Sequence, residues 1–272
     1  MKKQAARRAP HAGDSRVVPS KTLIETIKTT RKSARVLGGE FFGVTALSLV
    51  GGFVDTAGFI ALFGIFTAHV TGDLITGAAA LTQGLGSGGL VRLLMVPVFM
   101  VTVAFAMLFL RAISARGAHS VAPLLALMTL VMAAFGASGW YFSAKLKSIG
   151  NWEVILTSGL GVAAMGFQNA LMRGALKGFS QTTMMTGNLT QFTIDFIERI
   201  FPRRIGTPRE QEAARLKART RLRKSAFPLF AFMAGAALGA WLTSVYGLLS
   251  IAVPTGILFV LAIITAWRSR LV

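Results

Sequence analysis

The chain has 272 residues, of which 53% are hydrophobic and only 14% are charged. This composition excludes an ordinary soluble domain, in which about a quarter of the residues are charged. The absence of cysteine excludes disulfides and thiolate metal sites. A mean hydropathy of +0.62 indicates instead a chain that lies in a lipid bilayer.

The net charge of +19 arises from two basic segments and does not indicate a nucleic-acid surface. Ten of the 29 basic residues precede Phe41, and ten lie between Arg199 and Lys224. Basic segments beside apolar spans are typical of cytoplasmic regions, because Lys and Arg resist translocation. We therefore predict the lipid bilayer as a partner, with anionic lipid head groups at the basic tail and loop, and no nucleic acid.

The apolar segments follow one another in an order that occurs twice. Residues 1–40 are predicted to form a basic cytoplasmic tail. The first membrane repeat, 41–145, has a span at 42–64, a more polar segment at 67–85, and spans at about 92–112 and 120–142. The second repeat, 146–272, has spans at about 153–173, 226–246 and 248–267 and a polar helix at 182–199. Each full span is close to the roughly 20 residues that cross a bilayer.

A basic loop at 199–224 lies inside the second repeat and is predicted to be cytoplasmic. Within it, the stretch Thr207-Pro-Arg-Glu210 matches a capping box, in which the threonine hydroxyl and the glutamate carboxylate each accept from a free backbone N–H. We predict that a basic helix follows, runs to Lys224 and lies along the cytoplasmic surface.

A short motif appears in both halves. The stretch Thr-Ala-His-Val-Thr-Gly-Asp-Leu at 67–74 corresponds to Thr-Thr-Met-Met-Thr-Gly-Asn-Leu at 182–189. The third apolar segment of each half also opens on a proline that is followed two positions later by phenylalanine, at Pro97 and Pro228. A duplicated unit explains both matches. We therefore predict an all-α, polytopic helical membrane protein with two related halves.

Two arrangements of these halves are open. If the motif helices dip in and return, the chain has six full spans plus two short Thr-Gly motif helices, and the halves are inverted. If the motif helices cross completely, there are eight spans and the halves are parallel. Six spans leave only Arg92, Lys145 and Lys147 outside, so the positive-inside rule favours the inverted arrangement.

The chain resembles the YoaK-like family of bacterial integral inner-membrane proteins, whose function is not established. The first signature is Gly52-Phe-Val-Asp-Thr-Ala-Gly-Phe with the motif at 67–74, and the second is Gly166-Phe-Gln-Asn-Ala with the motif at 182–189. The resemblance covers roughly residues 42–268 and implies a location in the bacterial cytoplasmic membrane, with both termini cytoplasmic. One departure is Asp73, where the family usually has asparagine.

Three ionisable residues of the first half, Asp55, His69 and Asp73, lie within apolar surroundings. Such side chains are costly in a membrane, so they usually face the bundle interior and mark function. His69 and Asp73 are four residues apart, a spacing that predicts a hydrogen-bonded, proton-accepting pair on one helical face. We predict that these three residues are proton-linked or cation-binding groups, and that Asp73→Asn abolishes proton coupling.

The second half offers Gln168 and Asn169, with Arg173 as the candidate counter-charge to an intramembrane carboxylate. The Thr-Gly pairs have a separate rationale, because glycine permits close backbone approach and leaves N–H groups that can bind an anion. Residues of both halves are predicted to converge in one pocket that contacts a polar substrate. The motif residues of this predicted site are Thr71, Gly72, Thr186, Gly187 and Asn188.

Simpler interpretations stand beside these. His69 could bond a backbone carbonyl, and the threonines could return hydrogen bonds to carbonyls one turn back. The function predicted from the sequence is a transporter or channel-like permease for a small polar solute or ion. The alternatives are a membrane-embedded enzyme, although no HExxH or GxSxG motif occurs, and a noncatalytic assembly or lipid-binding protein, which could form a homo-oligomer. No catalytic residue, metal or cofactor is predicted.

Overall fold

The computed structural model describes Leu37 and residues 42–84, 86–115, 121–177, 179–201 and 207–271. Over these ranges all regular structure is helical, which confirms the predicted all-α class. Apart from Leu37, the predicted cytoplasmic tail lies outside the described residues. The helices are α1 (Phe42–Ala61), α2 (Val70–Thr82), α3 (Gly86–Ala115), α4 (Val121–Tyr141), α5 (Trp152–Gly174), α6 (Met185–Ile200), α7 (Pro208–Tyr246) and α8 (Ala252–Ser269). Short 3-10 turns lie at Ser143–Lys145 and Gly247–Ile251.

The two short motif helices are each inserted after the first long apolar helix of a half. Five stretches of the described chain are long and apolar enough to cross a membrane, and the last of them, Glu210–Ser269, contains α8 and all of α7 except its first two residues. The motif helices α2 and α6 have only 13 and 16 residues. Both fall short of the roughly 20 residues that span a bilayer. The structure is thus a polytopic helical membrane protein with two short helices inserted among the long ones.

The direction of the helices shows that the two halves are inverted. Gly58 of α1 and Gly161 of α5 both lie against the methyl group of Thr67. Further along, the Gln168 side chain of α5 donates a hydrogen bond of 2.8 Å to the Leu47 carbonyl of α1. The residue numbers rise along α1 while they fall along α5, so these first helices of the two halves are antiparallel. This is the relation that six spans require and eight spans forbid.

The last helices of the two halves, α4 and α8, are antiparallel as well. Gly139 lies against Leu248 and Gly136 lies against Ile251, both in the 3-10 turn that leads into α8. Eight complete crossings would have made this pair parallel. The inverted arrangement expected from the charge distribution therefore agrees with both helix pairs.

These directions place most basic side chains at one end of the bundle. We call this the basic end, and its described members outside α7 include Arg111, Arg173, Arg268 and Arg270. Arg92, Lys145 and Lys147 lie at the opposite end, where Trp140, Tyr141, Trp152 and Tyr246 are exposed. Aromatic side chains of this kind commonly mark a membrane interface.

The basic loop is part of a long helix, and this corrects the prediction of a separate surface helix. Helix α7 runs for 39 residues without interruption, so it is about 58 Å long and exceeds the roughly 30 Å hydrocarbon core. Its predicted capping box is present, since Thr207 accepts from the Glu210 N–H while a Glu210 oxygen lies 2.7 Å from the Thr207 N–H. The basic turns extend beyond the bilayer as a continuation of a span.

The prolines also lie elsewhere than predicted. Pro97 and Pro228 are both inside helices, α3 and α7, and do not open them. The residues before each proline are already helical, since α3 begins at Gly86 and α7 begins at Pro208. The two prolines remain a matched pair in the two halves.

Helices α1 and α7 approach so closely that only glycine fits at several contacts. A Cβ atom at Gly235 would overlap the carbonyl of Leu49, and one at Gly239 would overlap the backbone of Phe53. The sequence pattern Gly235-Ala-Ala-Leu-Gly239 therefore packs helices together, as small-residue patterns in membranes often do.

Substitution of Gly235 by alanine is expected to lower the free energy of unfolding by about 2 kcal/mol, the usual cost of overpacking. The helix backbones must separate, because the obstructing atoms are backbone and cannot rotate away. Gly256→Ala is the matched control, since a Cβ atom there meets nothing within 4 Å. Thermal unfolding in detergent, followed by tryptophan fluorescence, should separate the two variants. Equal stability of both would contradict this account of the α1–α7 contact.

Candidate functional site

The chain folds back into the bundle after α1 instead of continuing outward. Helix α1 ends at Ala61, and Ala68 then donates its N–H to the Asp55 Oδ1 atom over 2.6 Å. Asp55 lies six residues before the end of α1, so residues 62–69 return alongside the helix that they have just left. The Arg92 guanidinium of α3 donates to the carbonyl oxygens of Phe63 and Gly64 and holds this turn in place.

The partner of His69 is Asp55, and this corrects the predicted pairing with Asp73. The His69 Nδ1 atom lies 2.6 Å from Asp55 Oδ2, and the Asp55 carboxylate also accepts from the N–H groups of Ala68 and His69. Asp55 is 5% exposed, whereas the His69 side chain is 34% exposed. The simpler interpretation, a bond from the imidazole to a backbone carbonyl, is also not what the structure shows.

His69 lies between two aromatic rings. Its ring centroid is 6.2 Å from that of Phe66 and 5.9 Å from that of Phe232 of α7, both in edge contacts. The imidazole therefore contacts a buried carboxylate and two aromatic rings, one from each half, and part of it stays exposed.

Asp73 closes the segment that precedes α2. Its Oδ1 atom accepts from the Phe66 N–H over 2.9 Å, and the side chain is fully buried. Asn188 makes the corresponding contact in the second half, where its Nδ2 atom donates to the Gln181 carbonyl over 2.7 Å. Phe66 and Gln181 each lie seven residues before the closing residue. An asparagine can donate to a backbone carbonyl, as Asn188 does. Asp73, where the family usually has asparagine, instead accepts from a backbone N–H.

The second half carries amides where the first carries the carboxylate. Gln168 donates to the Leu47 carbonyl and, over 2.9 Å, to the Thr182 hydroxyl. The Thr183 hydroxyl donates to Asn169 Oδ1 over 2.9 Å. Asn169 thus holds the second returning segment as Asp55 holds the first.

The two family signatures contain a sequence signal that Asp55 and Asn169 are equivalent. Asp55 ends the stretch Gly-Phe-Val-Asp, and Asn169 ends the stretch Gly-Phe-Gln-Asn. The motif spacing misses the match, because the second returning segment is one residue longer than the first. Superposing the signatures themselves would have paired Asp55 with Asn169.

The polar groups form two clusters and do not converge on one pocket. The first polar cluster contains Asp55, Thr67, His69 and Asp73, and the second contains Gln168, Asn169, Thr182, Thr183 and Asn188. Thr67 lies against Gly58 and Thr182 lies against Gly51. Seven residues of α1 separate these contacts, which is about 10 Å along the helix. The prediction of a single shared pocket is therefore replaced by two symmetric clusters on the α1–α5 crossing.

The remaining predicted site residues lie apart from the clusters. Arg173 is exposed at the basic end, so the counter-group of Asp55 is His69 and not this arginine. Thr71, Thr186 and Gly187 are exposed, and Gly72 is partly buried against the Phe66 ring. Thr76 and Thr190 bond carbonyls four residues back, as the simpler interpretation proposes.

Several buried polar atoms have no partner in the described part of the chain. They include Asp73 Oδ2, Gln168 Oε1 and Thr157 Oγ1. Gln168 and Thr157 lie on the same face of α5 as Gly161, and this face contacts Thr67 of the first returning segment and Leu47 of α1. Buried acceptors of this kind are usually satisfied by water or a ligand. Among the described residues, no three His, Asp or Glu side chains are grouped so that they could hold a metal ion.

A family model described as a protein of unknown function, DUF1275, matches residues 43–264. The chain belongs to the DUF1275 family. The match includes both signatures and both motifs, and it confirms the resemblance to the YoaK-like proteins. No curated protein and no solved structure matches the chain.

This DUF1275 chain also contains an ion pair between a buried carboxylate and a half-exposed arginine, which the sequence patterns did not predict. Asp195 of α6 is fully buried, and its Oδ1 atom accepts from Arg221 Nε over 3.0 Å. The same guanidinium donates to Glu198 over 2.8 Å. The signal lies in Asp195 and Glu198, which are three residues apart on one face of α6 and meet the basic turns of α7. The pair fixes the second motif helix against the long helix that follows it.

Proposed function

We propose that this protein is a small-solute or ion permease of the bacterial inner membrane, in which the Asp55–His69 pair carries a coupling proton. The observation that carries the proposal is the buried Asp55 carboxylate, bound to His69 on a segment that folds back into an inverted-repeat bundle. Inverted repeats with interrupted helices at matching positions are the arrangement from which many secondary transporters build a central site.

The Asp55–His69 pair suits proton transfer because it joins two groups that bind protons over a distance of 2.6 Å. Asp55 is buried, while the imidazole is partly open, so a proton can enter through the ring and rest on the pair. Two further charged groups lie in this part of the bundle: Asp73, which is bonded to Phe66, and Arg92, which holds the turn at Gly64. We assign the coupling role to Asp55 and not to Asp73, because Asp55 bonds the His69 ring and Asp73 bonds a backbone N–H.

The second polar cluster supplies uncharged contacts for a substrate. Gln168 Oε1 is buried without a partner, and the amides of Asn169 and Asn188 position the returning segment beside it. An amide oxygen that is free of protein contacts can accept from an amine, a hydroxyl or a hydrated ion. The basic end is cytoplasmic in this proposal, because arginines and lysines accumulate on that side of bacterial membranes.

A ligand screen of the purified protein tests the proposal. Anions, amines and polar metabolites are added singly, and the thermal unfolding midpoint is recorded for each. A transported ligand that binds only the folded protein at about 100 times its dissociation constant adds roughly 2.7 kcal/mol to the stability. Each compound that stabilises is then tested for uptake into proteoliposomes with and without an imposed pH gradient. Stabilisation without uptake in either condition would contradict a permease.

A further inference from the structure

We propose that the groove between α4 and α8 binds an anionic phospholipid, with the acyl chains along the groove and the phosphate at Arg270. The proposal is independent of the proposed transport function. It rests on the shape of the groove, its lining and the charge at one end.

The groove is a large apolar concavity on the outer face of the bundle. Its volume is about 1270 Å³, and it extends along α4 and α8 from Arg270 at the basic end to Trp140 at the other. Helix α4 has 21 residues, so the groove follows about 30 Å of membrane depth. Small side chains leave this space open; they include Ala126, Ala133, Gly136, Gly256 and Ala262. A Cβ atom at Gly256 would meet nothing within 4 Å.

The charge of the groove is confined to one end. Ser269 and Arg270 line it at the basic end, and none of the described residues that line it is acidic. A guanidinium and a hydroxyl can donate to the oxygens of one phosphate. Arg270 is exposed at the end of α8, which is the depth at which lipid head groups lie.

An anionic phospholipid is apolar along its length and charged at one end, as the groove is. Its apolar chains match the lining, and its single charged end matches the single charged end of the groove. A helix of a second copy would also fill an apolar groove, but it would leave Arg270 without an anionic partner. A polar solute would find few partners along the groove, because the hydroxyls of Thr129 and Thr255 already donate to carbonyls one turn back.

The natural absence of cysteine allows the groove to be labelled at one position. Ala266→Cys places a bimane fluorophore in the groove one turn from Arg270. Leu108→Cys places the same label on the exposed face of α3, one turn from Arg111, as a control of similar depth. Both proteins are reconstituted in phosphatidylcholine vesicles that contain a small fraction of phosphatidylglycerol or phosphatidylcholine with a nitroxide on the acyl chain. Quenching then reports which lipid lies beside each label.

The label at position 266 is expected to be quenched about fivefold more efficiently by phosphatidylglycerol than by phosphatidylcholine, the ratio that one basic residue near the membrane surface can supply. The ratio at position 108 should be clearly lower, because Arg111 lies on an exposed helix face with no groove to hold the acyl chains beside it. Arg270→Gln should remove the preference at position 266, whereas Arg111→Gln should leave it unchanged. Gly256→Leu places a larger side chain in the groove at a position where an added Cβ atom meets nothing within 4 Å, and it should lower quenching by both lipids.

Three results would overturn the proposal. Equal ratios at positions 266 and 108 would show that the groove has no selectivity. A preference that survives Arg270→Gln would place the anionic lipid elsewhere. Shielding of position 266 from both lipids, together with disulfide formation between two Ala266→Cys chains, would show that a second copy covers the groove.

Discussion

Asp55→Asn is expected to reduce pH-driven uptake to the level of protein-free vesicles while the protein stays folded. An asparagine oxygen can still accept from the Ala68 and His69 N–H groups that Asp55 Oδ1 receives, so the returning segment keeps its position. The amide cannot bind a proton near neutral pH, and the pair with His69 loses its proton-carrying state. Uptake of a ligand identified by thermal stabilisation, measured with an imposed pH gradient, provides the readout.

Asp73→Asn is the matched control for that experiment. It changes the other buried carboxylate of the first polar cluster to the amide that Asn188 already provides in the second half. Asparagine can accept from the Phe66 N–H through its oxygen, so uptake and its pH dependence should persist. Loss of coupling in Asp73→Asn with retention in Asp55→Asn would reverse the assignment. If both variants lost proton coupling while they still bound the ligand, the proton would be shared by the whole first polar cluster. That result would contradict a role for the Asp55–His69 pair alone.

Asp55→Ala should instead show a structural defect. Alanine leaves the N–H groups of Ala68 and His69 and the His69 ring without an acceptor. Each unsatisfied buried donor costs about 1–3 kcal/mol, so the variant should unfold at a clearly lower temperature than Asp55→Asn. The comparison separates the loss of a proton carrier from the loss of the contact that holds the returning segment.

Arg221→Met is expected to lower the free energy of unfolding by about 2 kcal/mol. Removal of one partner of a buried ion pair costs roughly 3–5 kcal/mol, and the half-exposed position of Arg221 reduces this value. The cost arises because Asp195 is fully buried and would keep a charge without a counter-group. Chemical unfolding in detergent micelles, monitored by tryptophan fluorescence, measures the change.

Arg219→Met is the control for Arg221→Met, since it removes an exposed arginine from the same basic turns. It should change stability little, as surface charges usually do. The double variant Asp195→Asn with Arg221→Met should be more stable than Arg221→Met alone, because no uncompensated carboxylate remains. An equal loss from Arg219→Met and Arg221→Met would show that the loss reflects net charge and not the ion pair.

The relation between the two halves could be predicted from local sequence patterns. Long apolar stretches and the repeated Thr-Gly motif predicted the helices and the duplication, because both depend on residues close together in the chain. The positive-inside rule also favoured the inverted arrangement. The capping box at Thr207 was predicted for the same reason, since its donors and acceptors lie within four residues.

Local sequence patterns did not predict which carboxylate pairs with His69. Spacing by four residues predicts contact only if both residues belong to one helix. His69 stands just before α2 on the returning segment, so its ring is directed at Asp55 of α1. Local spacing therefore identified His69 as one member of a pair, but it predicted Asp73 as the partner where the structure has Asp55.

The sequence by itself determined that this is a helical membrane protein of two related halves, with a small set of buried polar residues. These properties follow from hydrophobic length and from matching residues, which act locally. Only the tertiary structure decided which polar groups meet, that they form two clusters about 10 Å apart along α1, and that α4 and α8 leave an open groove. Those features depend on helix direction and on where a chain folds back, and both are set by contacts between residues that are distant in sequence.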